Sequence, residues 1–231
     1  MTSPLAVLDR HLYTTNEAAR LLHIPTPKLR RWLEGYARRG VFYKPVIRIE
    51  PTGSDEVTWG EFVEGGLLSE YRTNVPLQRL RPVIEELRQE LGLPYPLAHF
   101  RPLVDERARE LVFRAQELVD LDDELFLIRR VRGRDAGWQL QWAEPVLAFM
   151  RKAEFNPDGF VYRLHPQESA VVIDPNVEFG IPQVGGIRTE TIAEAYATGE
   201  SVNQIAEAWG LTADQVHAAI RWELSLAREV A

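Results

Sequence analysis

The 231-residue chain has no cysteine, so disulfide staples and thiolate metal sites are excluded outright. Stability must therefore come from burial, and 45% hydrophobic residues suffice for cores in two or three small domains. Long apolar runs are missing as well. No stretch approaches the roughly 20 apolar residues that span a bilayer, and the start "MTSPLAVLDRHLY" has no basic segment leading into an apolar one. These absences point to an unexported, cytoplasmic protein without a membrane partner.

Catalytic patterns are also lacking. The histidines at 11, 23, 99, 165 and 217 show no HExxH spacing, and no serine sits in a nucleophile elbow. "GIPQVGGIRT" places Gly186 and Ile187 where a phosphate loop needs Lys and Ser or Thr. The acidic run at 120–124 is followed by Leu125 where a calcium loop needs its glycine turn, and a solvated helical segment is expected there. No catalytic residue, metal or cofactor is expected, and the protein reads as a non-enzyme.

Positive charge is in deficit overall, at net −7, but it is unevenly spread. Residues 1–44 hold eight cationic side chains against three acidic ones, a local +5 that leaves −12 on the rest. "TPKLRRWLEGYARRG" at 26–40 is the densest part, with five cations in fifteen residues. An acidic protein with one basic end predicts a polyanion partner at that end.

The periodicity around that stretch is helical. Ala18, Ala19, Leu21 and Leu22 recur near 3.6 residues after a Thr-Thr-Asn cap, which gives a first helix. "HIP" interrupts it, with His23 in a turn that can demand positive φ. Thr26 as N-cap and Pro27 as first residue open a second helix. Its apolar face is Leu29, Trp32 and Leu33, all read as core, and its polar face carries Lys28, Arg30 and Arg31. "KPVIRIE" alternates, "PTGSDE" turns and "VTW" follows, so a hairpin over 41–59 is predicted to form a wing bearing Lys44 and Arg48. The candidate DNA-contacting set is Thr26, Lys28, Arg30, Arg31, Tyr36, Arg38, Arg39, Lys44 and Arg48, since cations on an outer helix face and a wing meet phosphates and guanine edges.

Downstream, helices are predicted near 60–72 and 77–91, with a boundary at "GLPYPLAHFRP". The middle segment reads as mixed: "PLVDERARELVF" as a short hairpin, "WQLQWAEPVLAFM" as a helix, and "KAEFNPDGFVYRL" as two strands turning at Pro157, Asp158 and Gly159. Three helices end the chain, two of them opened by the capping boxes Ser201/Gln204 and Thr212/Gln215, with stops at Gly199 and Gly210. Residues 181–231 carry net −4, which argues against a second DNA-reading surface there. The apolar set Val216, Ala219, Ile220 and Trp222 is expected to pack or to meet a protein partner. The expected class is mainly α with small β-hairpins (α+β), divided as 1–95, 96–168 and 169–231.

"TTNEAARLLHIPTPKLRRW" resembles the opening of MerR-like winged helix-turn-helix domains over about twenty residues. The stretch from Asp174 and Pro175 through Gly180, Pro182, Val184, Gly186 and Arg188 into "ATGESVNQIAEAWGLTADQVHAAI" is similar to a small domain of VapB-type antitoxins encoded beside PIN-like ribonuclease toxins. Together the resemblances imply a homodimeric antitoxin that binds operator DNA, represses its own operon and neutralises a PIN-like toxin. The alternative is a MerR-like transcriptional regulator with no toxin partner.

Overall fold

The computed structural model describes residues 4–71, 76–99, 106–119, 121–132, 138–166 and 170–228. They group into two compact units, one within Met1–Arg151 and Phe155–Val161, the other within Lys152–Glu154 and Tyr162–Ala231. The class is α+β and mainly α, with small antiparallel two-stranded sheets.

In the first unit, α1 (Pro4–Leu8) and β1 (His11–Thr14) lead into α2 (Thr15–Leu21). The Thr14 hydroxyl accepts from the Glu17 amide while the Glu17 carboxylate accepts from the Thr14 amide, a capping box that satisfies two end groups at once. His23 takes φ +53 in the turn, as the sequence predicts. In α3 (Thr26–Glu34) the cap is displaced by one residue: Pro25 stands at the N-cap and Thr26 is already helical. The Thr26 hydroxyl donates to Asn16 Oδ1 at 2.9 Å and so ties α3 to α2. Leu29, Trp32 and Leu33 are buried as expected.

The hairpin is not where alternation placed it. β2 (Tyr36–Arg38) pairs with β3 (Val41–Tyr43) around Arg39 and Gly40, whose φ angles are +51 and +77. Two consecutive positive φ values give the two-residue turn whose twist matches antiparallel strands. Residues 44–55 form no strand, because the Val46 and Ile47 amides both donate to the Trp32 carbonyl, and this folds the segment against the end of α3. β4 (Glu56–Thr58) pairs with β1 instead, His11 opposite Thr58.

A second capping box, Thr58 with Glu61, opens α4 (Trp59–Ser69), and every residue from Trp59 to Leu68 is buried. A helix enclosed on all sides is the centre of its unit. Glycine permits this at position 60, where a Cβ would lie 2.6 Å from the Tyr95 ring. Glu64 is fully buried on α4, accepting from the Leu97 amide at 3.1 Å with Arg88 Nη2 at 3.5 Å. Burial pushes its pKa up to about 7, against the opposing pull of Arg88.

A 3-10 turn (Leu77–Leu80) runs into α5 (Arg81–Leu91), close to the predicted helix. The described part of the expected 102–113 hairpin belongs instead to α6 (Glu106–Leu118). Val112, Phe113, Ala115 and Gln116 are buried on α6, a helical period hidden among charged neighbours. The Gln116 side chain accepts from the Leu127 and Ile128 amides and donates to the Ile128 carbonyl, fixing α6 on β5 (Ile128–Arg132). β6 (Trp138–Trp142) pairs with β5, and only then does α7 (Glu144–Lys152) begin, so "WQLQW" is strand where one helix was expected. The end of the acidic run forms a short 3-10 turn (Asp123–Leu125) with Leu125 buried. The predicted strands around Asp158 and Gly159 are present as β7 (Ala153–Phe155) and β8 (Val161–Leu164), where the chain passes between units.

The second unit joins β9 (Gln183–Val184) and β10 (Ile187–Arg188) to α8 (Thr189–Ala197), α9 (Val202–Trp209) and α10 (Ala213–Arg228). Both expected capping boxes form, and Gly210 ends α9 at φ +67. Val216, Ala219, Ile220 and Trp222 are buried, so these side chains serve packing within the unit. Before β9, Glu178, Phe179 and Gly180 all take positive φ, and Phe179 is left 76% exposed. The Asp174 carboxylate starts this turn by accepting from the Asn176 amide, and Arg188 pairs with Glu178.

Candidate nucleic-acid interface

Helix α3 buries the stripe Leu29, Trp32 and Leu33, so at 3.6 residues per turn Pro27 and Arg31 occupy the middle of its outer face, flanked by Lys28 and Arg30. All four are exposed. Lys28 Nζ lies 5.1 Å from the Trp32 ring centre, and the Arg31 guanidinium lies 5.8 Å from that of Tyr36. Tyr36 in turn stacks on Tyr43 at 4.9 Å across the hairpin. These ring contacts steer two flexible cations toward the same side as β2 and β3.

Gly35 makes that juxtaposition possible. Its φ of +71 turns the chain directly from α3 into β2, and a Cβ there would fall 2.3 Å from the Tyr43 carbonyl oxygen. Arg38 and Arg39 extend from the hairpin into solvent, beside an exposed Val41 and Phe42. The hairpin at residues 36–43 thus carries two exposed cations.

The other expected cations are placed differently. Arg30 lies 3.5 Å from Asp55, and Lys44 pairs with Glu50. Arg48, expected on the outside of a wing, is 7% exposed. Its Nε donates to Glu61 Oε1 at 2.7 Å and its Nη2 to Glu61 Oε2 at 3.1 Å and to the Glu56 carbonyl at 2.6 Å. Its Nη1 donates to Glu34, Thr52 and the Ser54 carbonyl. Burial, the largest single influence, lowers the Arg48 pKa, but Glu61 and Glu34 outweigh it and hold the guanidinium above its ordinary range. Arg48 is therefore a structural knot under the surface. Thr26, likewise, spends its hydroxyl on Asn16.

A selection among the cations results. No carboxylate of the described residues pairs with Lys28, Arg31, Arg38 or Arg39, whereas Arg30 and Lys44 each have one and Arg48 has two. Lys28, Arg31 and Arg38 also line one groove of about 590 Å³, closed on its far wall by residues 76–78. That wall, with Gln78, escaped sequence reasoning because nothing in a linear pattern links it to α3.

Comparison with known proteins places this arrangement. Over 99% of its length the chain is 35% identical to "Uncharacterized protein Rv2308" of Mycobacterium tuberculosis, and it covers 98% of that protein. The chain belongs to the Rv2308 family. Within it, residues 11–84 match a family model described as "Putative DNA-binding HTH domain", the span that contains α2, α3, the hairpin and α4. Residues 171–222 match a "Protein of unknown function (DUF433)", which covers the second unit from the Asp174 turn into α10.

A second relative, "Putative antitoxin VapB45" of the same organism, is 28% identical over 92% of the chain and 93% of that protein. The crystal structure of Rv2018 from Mycobacterium tuberculosis shares the fold at a TM-score of 0.73 with 27% identity, over 92% of the chain and 99% of that one. Neither matched domain is described as enzymatic. No helix among the described residues is long and apolar enough to cross a membrane.

Proposed function

We propose that the protein is a DNA-binding antitoxin whose α3 enters the major groove while the β2–β3 hairpin follows the adjacent backbone. One observation carries this reading: among the described residues no carboxylate pairs with Lys28, Arg31, Arg38 or Arg39, and the first three line one groove, in a chain where acidic groups outnumber basic ones 34 to 27. Phosphate contacts supply much of the affinity of such interfaces, and a groove-facing Arg supplies discrimination. The match to a helix-turn-helix model and the relative named as an antitoxin support the same reading.

In this reading the protein is a homodimer on an inverted repeat upstream of its own gene, since one small winged domain buries too little surface for tight specific binding. It represses that operon and neutralises a PIN-like toxin through protein contact. The acidic second unit is the part suited to a basic protein partner rather than to DNA.

The test is a gel-shift titration of the chain against its own upstream region, with the Arg31→Gln/Arg38→Gln double variant beside it, and co-expression with a neighbouring PIN-like reading frame. Retarded wild-type complexes, loss with the double variant and co-purification of the toxin are expected. Absence of a retarded complex removes the DNA reading. DNA binding without toxin rescue leaves a transcriptional regulator.

A further inference from the structure

The groove between α3, the β2–β3 hairpin and residues 76–78 has a composition that sets it apart. Its described lining includes three cations, Lys28, Arg31 and Arg38, and the rings of Trp32 and Tyr36, with Gln78 on the opposite wall and no carboxylate. In a protein of net −7 such a lining needs a reason. Cations that served only to solvate the helix would be free to take up neighbouring carboxylates, as Arg30 does with Asp55 on the other flank. The groove cations do not, and two of them are held by ring contacts that orient them without neutralising them. The volume of about 590 Å³ also falls within the range of roughly 300 to 1,000 Å³ usual for small-ligand sites.

We propose that this groove is a phosphate-ester site that seats a phosphate between Arg31 and Arg38 and lays the attached sugar or base along the Tyr36 side. Guanidinium groups suit this because their planar donors meet phosphate oxygens in pairs, and an apolar wall favours a flat attached ring. Lys28 adds a third positive charge, and the Gln78 amide supplies a neutral donor from the far wall. Two sources offer that chemistry: a backbone phosphate of the duplex on which α3 lies, which rests on the DNA-binding reading, and a free nucleotide, which does not. In the second case the ligand and the duplex compete for Arg31, and DNA binding becomes responsive to a nucleotide.

The experiment uses the full chain in two arms, calorimetric titration with 5′-AMP and gel-shift titration with its own upstream duplex. Arg38→Gln and Gln78→Glu alter the groove, and Arg114→Gln on α6 serves as a control of the same charge change. Arg114 is exposed, does not line the groove and is no part of the DNA-binding face, so its loss removes one unit of charge without touching either. Both groove variants are expected to weaken at least one arm about tenfold or more, and Arg114→Gln by much less.

Loss confined to the 5′-AMP arm assigns the site to a free nucleotide, and loss confined to the duplex arm assigns it to the DNA backbone. A chain that binds no duplex but loses 5′-AMP with the groove variants keeps the site and discards the DNA reading. The proposal is overturned if neither probe binds, if both groove variants bind both probes as wild type does, or if Arg114→Gln weakens binding as much as Arg38→Gln while Gln78→Glu changes nothing.

Discussion

The Arg48 guanidinium grips both oxygens of Glu61, at 2.7 and 3.1 Å, with the two side chains only 5% and 9% exposed. Glu61 is at the same time the third residue of α4, accepting from the Thr58 amide. One ion pair therefore ties the loop after the hairpin to the start of the central helix. Arg48→Met removes the charge but leaves the buried Glu61 and the half-buried Glu34 facing one another's field. The expected cost is about 3 to 5 kcal/mol, read as a lower denaturant midpoint in chemical unfolding. DNA affinity under conditions where the variant remains folded should change far less than with Arg31→Gln.

Glu64 makes stability depend on pH in a direction opposite to most carboxylates. Its folded pKa of about 7 stands above the ordinary 4.5, so the folded state holds a proton that the unfolded chain has already lost between those values. Stability therefore falls as pH rises through that window, by up to about 3 kcal/mol from this group. Glu64→Gln, which can still accept from the Leu97 amide, should flatten the decline. An equal loss of unfolding free energy between pH 5 and pH 7.5 in wild type and variant would contradict the assignment.

Arg30 and Arg31 are adjacent in sequence but unequal in the structure. Among the described residues no carboxylate pairs with Arg31, which lies at the middle of the outer face, whereas Arg30 is 3.5 Å from Asp55. Arg31→Gln should cost about 1 to 3 kcal/mol of operator binding and lower the salt dependence by about one counterion. Arg30→Gln should cost less. Gel-shift titrations across a salt series separate the two.

Phe179 sits at φ +55 with 76% of its surface in solvent. A residue with a Cβ in this region carries strain on the order of 1 kcal/mol, and this ring regains little of that by burial. Phe179→Gly should therefore raise the thermal midpoint of the second unit, or leave it unchanged, where loss of an aromatic ordinarily lowers it. Differential scanning calorimetry of the full chain checks the sign.

Much of the architecture was legible because its signals are local. Capping residues, Pro27, Gly210 and the apolar stripe of α3 lie within a few positions of the structure they specify, and each was read close to its place. The hairpin was misplaced because alternation in "KPVIRIE" looked like a strand, while the deciding hydrogen bonds come from Trp32, some fifteen positions earlier. Helix α6 was missed for a similar reason: Gln116 is the residue that docks it, and a buried glutamine is indistinguishable in sequence from a surface one. Counting charges located the basic face but could not sort it. Asp55 is 25 positions from Arg30 and Glu61 is 13 from Arg48, so which cations remain free is settled only in three dimensions.

The antiparallel pairing of β1 with β4 sets His11 opposite Thr58, so the chain enters and leaves the helix-turn-helix at neighbouring points about 5 Å apart. Everything between is a closed excursion from one strand pair. A segment with such adjacent ends can be exchanged between relatives as a cassette, the receiving chain needing no new path and only the same two strands. In the proposed DNA-binding role, specificity for one sequence could be replaced in this way without disturbing the rest of the protein, provided that Glu61 remains outside the cassette to receive the incoming arginine.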